Sequence, residues 1–542
     1  MLFVLFVGDL LGIRVVRPWE FNSTYPLRSI IPIYLSTAMP LLLLKALSSL
    51  FGCVISWYML TVAVRLMVTL LSLITDYTVI HLATWIHGGR DVVSAGVIMA
   101  TSYISLVYYS RTFSNTIESF LYAALLCFVV RKSRKQSSDI PNAVVISLLT
   151  VVGVFNRPTF VVYAAVPYLW WLFSDGLHRV TVKAVNSMLT AVPVSLLLII
   201  CDSIYFGKIN INKFTVADLN EITAVLSHNI TVTPLNFVLY NTQSGNLAEH
   251  GIHPRFTHFA INIPLLFSVL SVGFFYDIYW WCVTAVFRQR KLVSTYRRQL
   301  MLLMCCLTPV TLLSIFPHQE PRFLIPLLPI FAALYGHKIT AARWRLALWV
   351  ISNIAACLFY GCIHQAGVMP CLGHLQQTRS TTVDRHVIFW HTYTAPQHLL
   401  MLPQQSFDAQ DTGHTSLRSL EGNSIEDLTR HLMLINSSWL EKPEVMVAAP
   451  SSDHHYLVCR AAEAGVRLHV YRSFWPHFST EHPPKIDDIW CRVPSTSCHT
   501  NIDAVAAAAA DDDDDDDEIC NKTLIGRLMF LTALNLYQVT FS

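Results

Sequence analysis

Long apolar runs broken by short polar turns fill the first two thirds of the chain, and the last third loses that pattern. About ten runs approach the roughly 20 residues that a helix needs to cross about 30 Å of hydrocarbon. They lie near 30 to 47, 54 to 75, 92 to 110, 116 to 130, 142 to 173, 184 to 206, 258 to 287, 299 to 316, 323 to 337 and 346 to 363. The fifth, Asn142 to Phe173, is long enough for two short crossings, because Asn156-Arg157-Pro158 sets a proline and two polar side chains in its middle. Beyond about Ile363, charge and proline rise. Glu444 to Ala449, Tyr456 to Gly465 and Val466 to Phe474 read there as strand, helix, strand, with a final strand near Leu534 to Phe541. The pattern predicts an α-helical polytopic membrane protein of about ten transmembrane helices, a multi-pass domain over 30–363, and a small α/β lobe within 364–542.

Composition strengthens the membrane reading. Of 542 residues, 53% are hydrophobic and 13% charged, half the roughly 25% usual in soluble domains, and mean hydropathy is +0.46. A disordered, collagen-like or soluble nucleic-acid-binding chain is excluded. Thirteen cysteines without a CxxC spacing are too few for a disulfide scaffold or a zinc cluster. The net charge of +3 hides an asymmetry, since eight of the 35 acids form the tract Asp511 to Glu518. That tract follows Ala506 to Ala510, and 504–518 reads as a low-complexity insert. A divalent-metal site on Asp511 to Asp517 is the sharper alternative; a solvated run is the plainer one, and no metal site is expected.

Basic clusters set the orientation, because short Lys/Arg-rich loops stay cytoplasmic. Arg131 to Lys135, Arg288 to Arg298 and His337 to Arg345 are expected in the cytosol. Parity then puts the loop 207–257, the turn His318 to Arg322 and everything after Ile363 in the lumen. The sequons at Asn229, Asn436 and Asn521 fall on those lumenal segments. A fourth, at Asn22, lies in the opening stretch 1–29, whose side stays open because Pro32 and Pro40 interrupt the first run.

Ionisable residues near a membrane face are costly and are functional candidates by default. His318, Glu320 and Arg322 share one five-residue turn. They are either an Arg–Glu pair closing a hairpin or a phosphate- or sugar-binding corner in which Arg322 offers a bidentate fork. Arg111 to Glu118 (RTFSNTIE) sets Asn115 and Glu118 on one helical face, while Thr112 or Ser114 could equally be a helix cap. Asp202 and Tyr205 end an apolar span, the carboxylate being a cap partner or part of a site. Arg157 is a lone cation, either functional or snorkelling to headgroups. The stretch Thr233 to His258 holds His250, His253 and Arg255, without HxxxH or HExxH. There is no P-loop, GxGxxG or GxSxG, and no tightly bound cofactor is expected.

HQEPRFLIPLLPIF (318 to 331) resembles the HxExRFLxPxxP motif of glycosyltransferase family 22, the dolichyl-phosphate-mannose-dependent mannosyltransferases of the GT-C fold. RPWEFNSTYPLRS (17 to 29), SRTFSNTIE (110 to 118), FNRPTF (155 to 160), CDSIYFG (201 to 207), TPLNFVLYN with NLAEHGIHPR (233 to 255), IHQAGV (363 to 368) and LNLYQV (534 to 539) are most similar to the branch that acts on glycosylphosphatidylinositol (GPI) anchors. The resemblance implies an inverting α-mannosyltransferase of the endoplasmic-reticulum membrane with a lumenal site. It would move mannose from dolichyl phosphate mannose to a GPI precursor as the fourth, α1,2-linked residue. Arg322, His318 and Arg157 would then surround phosphate or sugar, with Glu320, Glu118 and Asp202 orienting them. The resemblance places the catalytic base on an acidic HPDE-type loop before the stretch that matches GDLLGI. This chain begins MLFVLFVGDLLGI, so 1–29 is expected to be a truncated first lumenal loop, through an incomplete gene model or an alternative start, and no base is assigned. Addition of the third GPI mannose, extension of a lipid-linked N-glycan precursor and an inactive truncated member are alternatives within the family. A non-catalytic transporter would need paired repeats, and none is visible.

Overall fold

The computed structural model describes residues 8, 10–131, 140–209, 230–243, 245, 251–287, 294–379, 383–403, 415–438, 443–484, 529 and 531–541. Two compact units divide the chain: residues 1–11 with 17–357, and residues 12–16 with 358–542. The division falls six residues before the boundary read from the sequence.

The first unit is helical: α1 Ile31–Phe51, α2 Trp57–His87, α3 Val92–Thr101, α4 Ser114–Val130, α5 Ile140–Asn156, α6 Phe160–Phe173, α7 Leu177–Tyr205, α8 Thr233–Thr242, α9 His258–Phe267, α10 Leu270–Phe287, α11 Ser294–Leu313, α12 Pro321–Thr340 and α13 Arg343–Leu358. Among the described residues, five helices are long and apolar enough to cross a membrane alone: α1, α2, α7, α12, and α13 with its continuation to Ile363. α12 is the central one, with 78% of its apolar window buried, whereas α7 buries 11% and turns Met188, Leu189, Leu196 and Leu197 outward.

Several expected runs divide differently. The run 54 to 75 continues as helix to His87, ended by Gly88 at φ 67°. The run 92 to 110 breaks at Ser102, where Asn353 of α13 accepts the Tyr103 amide at 2.8 Å and so replaces the lost helical bond. The run 258 to 287 breaks at Ser268, at φ 45°. α8 lies in a stretch where no element was expected. At Arg157 the chain turns between α5 and α6, where Gly153 leaves room for the Phe160 ring.

One end of the unit gathers basic and aromatic side chains. Arg298 donates to the Trp85 carbonyl at 2.7 Å and lies over the Trp85 ring, Arg297 lies over Trp170, and Lys338 sits 3.6 Å from Asp277. The starts of α4 and α6, the end of α7 and the 318–322 turn belong to the opposite end, described below.

The second unit carries a five-stranded sheet of β1 Arg385–Trp390, β2 Thr415–Glu421, β3 Glu444–Pro450, β4 Val466–Phe474 and β5 Leu534–Phe541, in the order β2-β1-β3-β5-β4. β1 is parallel to β2 and β3, whereas β5 is antiparallel to β3 and β4. β3 is the buried centre, and its run EVMVAAP is almost wholly apolar, as burial on both faces requires. Helices α15 Ile425–Ser438 and α16 His454–Glu463 follow α14 Val368–Gln377. They lay Leu428, Leu432, Leu457 and Ala461 against Ile388, Trp390, Val445, Val447 and Tyr537. Cys459 of α16 is disulfide-bonded. The sequons at Asn229 and Asn521, His250 and the insert 504–518 lie outside the described residues; Asn22 and Asn436 are exposed.

A Cβ on Gly336 of α12 would meet the Ala95 backbone of α3 at 3.0 Å, whereas Gly96 has open space. Gly336→Leu should destabilise the detergent-solubilised protein by about 1–3 kcal/mol, lowering its Tm by several degrees, and Gly96→Leu should leave it unchanged. In the second unit His477 is buried, and burial with His364 beside it pushes its imidazole down to about 4. A folded-state value below the unfolded one gives stability that is complete above about 6.5 and drains away as pH falls towards 4. Thermal unfolding of the second unit should therefore weaken by about 2 kcal/mol between pH 7 and pH 5, and His477→Leu should flatten that slope.

Candidate functional site

Three arginines converge at one end of the helical unit, each gripped by a carboxylate and laid on a phenylalanine ring. Arg157 is buried in the turn between α5 and α6. Its Nε lies 3.3 Å from Glu118 Oε2, its Nη1 donates to Ser114 Oγ at 2.9 Å, and it stacks over Phe323 at 5.3 Å. The Thr159 hydroxyl donates to Glu118 Oε1 at 2.7 Å, and Asn115 donates to Oε2 at 3.5 Å. Glu118 is 1% exposed, so its charge is tolerated only because a guanidinium and a hydroxyl surround it. Burial and the charge of Arg28 bring the Arg157 guanidinium down to about 10, against Glu118 and Glu20, so it stays cationic at neutral pH.

Arg322, in the first turn of α12, donates through Nη2 to Glu320 Oε1 at 2.7 Å and lies 5.9 Å over Phe113. The same oxygen is 2.8 Å from His318 Nε2. Burial opposes ionisation of Glu320, yet His318 and Arg322 hold its carboxyl down to about 2. Arg28 donates to Glu20 Oε1 at 2.7 Å and lies 5.2 Å over Phe237 of α8. Burial opposes ionisation of Glu20 as well, but Arg28, then Arg157 and Arg322, keep its carboxyl below the usual range. Those shared influences make the three pairs one electrostatic unit.

Asp202 holds the frame. Its buried carboxylate accepts from the Ser29 hydroxyl and the Ile30 amide, both at 3.0 Å, and from the Thr233 hydroxyl at 2.9 Å. It clamps the end of α7 to the segment bearing Arg28 and to the start of α8, and is not a cap of its own helix. The cap alternative at α4 is also corrected. Phe113 occupies that N-cap without a side-chain bond, and the Ser114 hydroxyl faces Arg157 instead.

Thus Asn115, Glu118, Arg157, His318, Glu320 and Arg322 come together, with Asp202 behind them. Arg111 lies 6.0 Å over Tyr108, and Tyr205 packs on Phe206. The His253 ring lies beside that of His318, centroids 6.0 Å apart, and Arg255 braces the 251–258 segment. The Gln319 amide donates to His253 Nδ1 at 3.4 Å, the Arg255 guanidinium bonds the Ile315 carbonyl, and the buried Gln319 side chain bonds the Arg255 carbonyl and the His258 amide. Sequence reasoning missed Glu20, Arg28, Gln319 and Thr159. The signal for the first two was present, since Glu20 and Arg28 are scarce charges in a polar, aromatic stretch just before the first apolar run.

The chain is 32% identical over 517 residues to GPI alpha-1,2-mannosyltransferase 4 of Homo sapiens, covering 89% of this chain and 84% of the human protein. It is 28% identical over 588 residues to GPI mannosyltransferase 4 of Drosophila melanogaster, covering 88% and 82%. The crystal structure of ArnT from Cupriavidus metallidurans bound to undecaprenyl phosphate covers 88% of this chain and 94% of its own, at 11% identity and a TM-score of 0.47. The protein is a membrane-embedded glycosyltransferase. It belongs to the Alg9-like mannosyltransferase family, whose model matches residues 6–402.

The buried pair makes a sharp prediction. Glu118→Ala strands the Arg157 charge and should cost about 3–5 kcal/mol, read as a fall in Tm in detergent. Adding Arg157→Met should recover at least half of that loss. A double variant as unstable as the single one would show that the stranded charge is not the cause.

Proposed function

We propose that this site moves mannose from dolichyl phosphate mannose to a GPI-anchor precursor, adding the fourth, α1,2-linked mannose with inversion in the lumen of the endoplasmic reticulum. The observation that carries the reading is the trio Arg28, Arg157 and Arg322. Breaking the bond between sugar and phosphate loads negative charge onto a departing lipid phosphate. Guanidinium groups already fixed by carboxylates and rings stabilise that charge without reorganising during the reaction. The anomeric carbon passes through an oxocarbenium-like state, so the charge on its leaving group is the quantity to stabilise. Glu20, Glu118, Glu320 and Asp202 act as positioning residues, since each is engaged by a guanidinium, hydroxyl or amide, and the base is assigned to none of them. The names of the human and fruit-fly relatives support the acceptor.

Membrane topology fits the same reading. The five long apolar helices, with the shorter α3, α4, α5 and α6, the α9–α10 run and α11, are read as about ten crossings in a GT-C arrangement. Arg297, Arg298 and Lys338 mark the cytosolic end, which leaves the arginine trio at the lumenal end. A disulfide at Cys459 supports an oxidising compartment for the second unit.

Expression of the protein in cells lacking the fourth GPI mannosyltransferase should restore tetramannosyl GPI precursors, resolved by chromatography of mannose-labelled glycolipids. Arg157→Ala should lower the product at least a hundredfold at equal protein level. Only trimannosyl precursors from the unaltered protein would overturn the acceptor assignment, and an elongated lipid-linked oligosaccharide would move it to N-glycan assembly.

A further inference from the structure

The end of the helical unit opposite the arginines holds a second polar cluster, which mannosyl transfer leaves without a task. α2 ends at His87 and the chain reverses at once, because Gly88 and Gly89 take left-handed backbones at φ 67° and 92°. The reversal returns Asp91 to the helix just left, with Oδ2 3.5 Å from His87 Nδ1. α12 adds His337 from its own last turn, its ring centroid 4.6 Å from that of His87. Two helix C-termini therefore converge there, and the partial negative charge of each favours a cation. The neighbouring Lys338 is paired elsewhere, 3.6 Å from Asp277.

Neighbours settle the hydrogen-bond roles of His87. Its Nε2 lies 3.2 Å from the Ala333 carbonyl, which can only accept, so Nε2 carries the ring proton. Nδ1 of the neutral ring is then a bare lone pair, and it faces a carboxylate oxygen. A proton shared by the two would draw them to about 2.7–2.9 Å, whereas two donors on a tetrahedral zinc ion, with bonds of about 2.0–2.1 Å, stand roughly 3.4 Å apart. The observed 3.5 Å matches the second case. The planes of the His87 and His337 rings are inclined at 61°, so they cross and one ion can lie in both. Two imidazoles on one tetrahedral ion have centroids about 5 Å apart, close to the separation found here. One nitrogen of His337 lies within 4.8 Å of both other ligand atoms, and His337 Nδ1 is buried with no hydrogen-bond partner among the described residues. The Nε2 bond to Ala333 is the kind of outer contact that orients a metal-bound imidazole. Side-chain exposures of 12% for His87 and 33% for Asp91 leave a path for an ion.

We propose that His87, Asp91 and His337 bind one divalent transition-metal ion of the zinc type, His87 through Nδ1. Three protein ligands leave a fourth position for water. The ion ties the end of α2 and the turn into α3 to α12, the central helix, and so clamps the unit at the end away from the arginine trio. Only His87 and Asp91 are near in sequence, and HGGRD (87 to 91) carries no metal-ligand spacing, so the linear chain hides the group.

The test uses the whole detergent-solubilised protein carrying no histidine tag, stripped with chelator, reloaded with zinc and freed of excess metal. Elemental analysis should find about one zinc per chain, and zinc should raise the Tm of the stripped protein by several degrees, as a ligand of the folded state does. His87→Ala, His337→Ala and the milder Asp91→Asn should each lower the retained zinc at least tenfold and abolish the rise in Tm, while a His391→Ala/His482→Ala variant keeps both. The Tm rise of the unaltered chain carries the test even where a variant misfolds. No retained zinc and no rise in Tm in the unaltered chain would overturn the proposal. So would zinc retained in full by the His87 and His337 variants, or lost from the His391/His482 variant alone.

Discussion

A guanidinium and a carboxylate buried together between the α4 and α5–α6 segments set the terms for the rest of the site. Neither Arg157 nor Glu118 can be desolvated alone, because each charge would lose its hydration without a substitute. Together, with Thr159, Asn115 and Ser114 filling the remaining donor and acceptor positions, they stand where apolar surroundings strengthen every interaction. Phe323 closes over Arg157 from the turn that carries Arg322, so the first pair fixes where the third must sit. The same logic extends to Glu20 and Arg28, whose segment Asp202 ties down.

This architecture uses acidic residues in an indirect way. An arginine trio without its carboxylates would repel itself and splay apart. With them the net charge of the three pairs is near zero, while each guanidinium stays fixed on its ring. On the proposed reading, a phosphate arriving there would meet directional donors whose positions are already determined, and a neutral ligand would gain much less. Selectivity for an anionic leaving group therefore resides in geometry as much as in charge.

The class of protein was legible in the sequence, because a membrane span is a local property of about 20 residues and the 318–331 motif is contiguous. Asn115 with Glu118, and His318 with Glu320 and Arg322, were found together because a helix turn or a tight loop brings near neighbours to one place. The remaining contacts join distant segments: Asp202 reaches Ile30 across 172 positions, and Arg28 reaches Asn156 across 128. No periodicity encodes such pairings. His253 likewise meets His318 across 65 positions. β1 and β2 went unread for a related reason. RHVIFW and TSLRSLE mix charged and apolar residues without clean alternation, and only their parallel pairing defines them.

Glu118 and Arg157 lie one helical hairpin apart, on α4 and just after α5, and that spacing bears on biosynthesis. A ribosome delivers the two charges to the membrane in quick succession, so α4 and α5 can partition into lipid as a pair already neutralised by each other. Arg322 emerges much later, with Glu320 and His318 beside it in the same turn. These charges thus enter with partners made at nearly the same time, and neither Glu118 nor Arg157 need stand orphaned in the bilayer while the later segments are made.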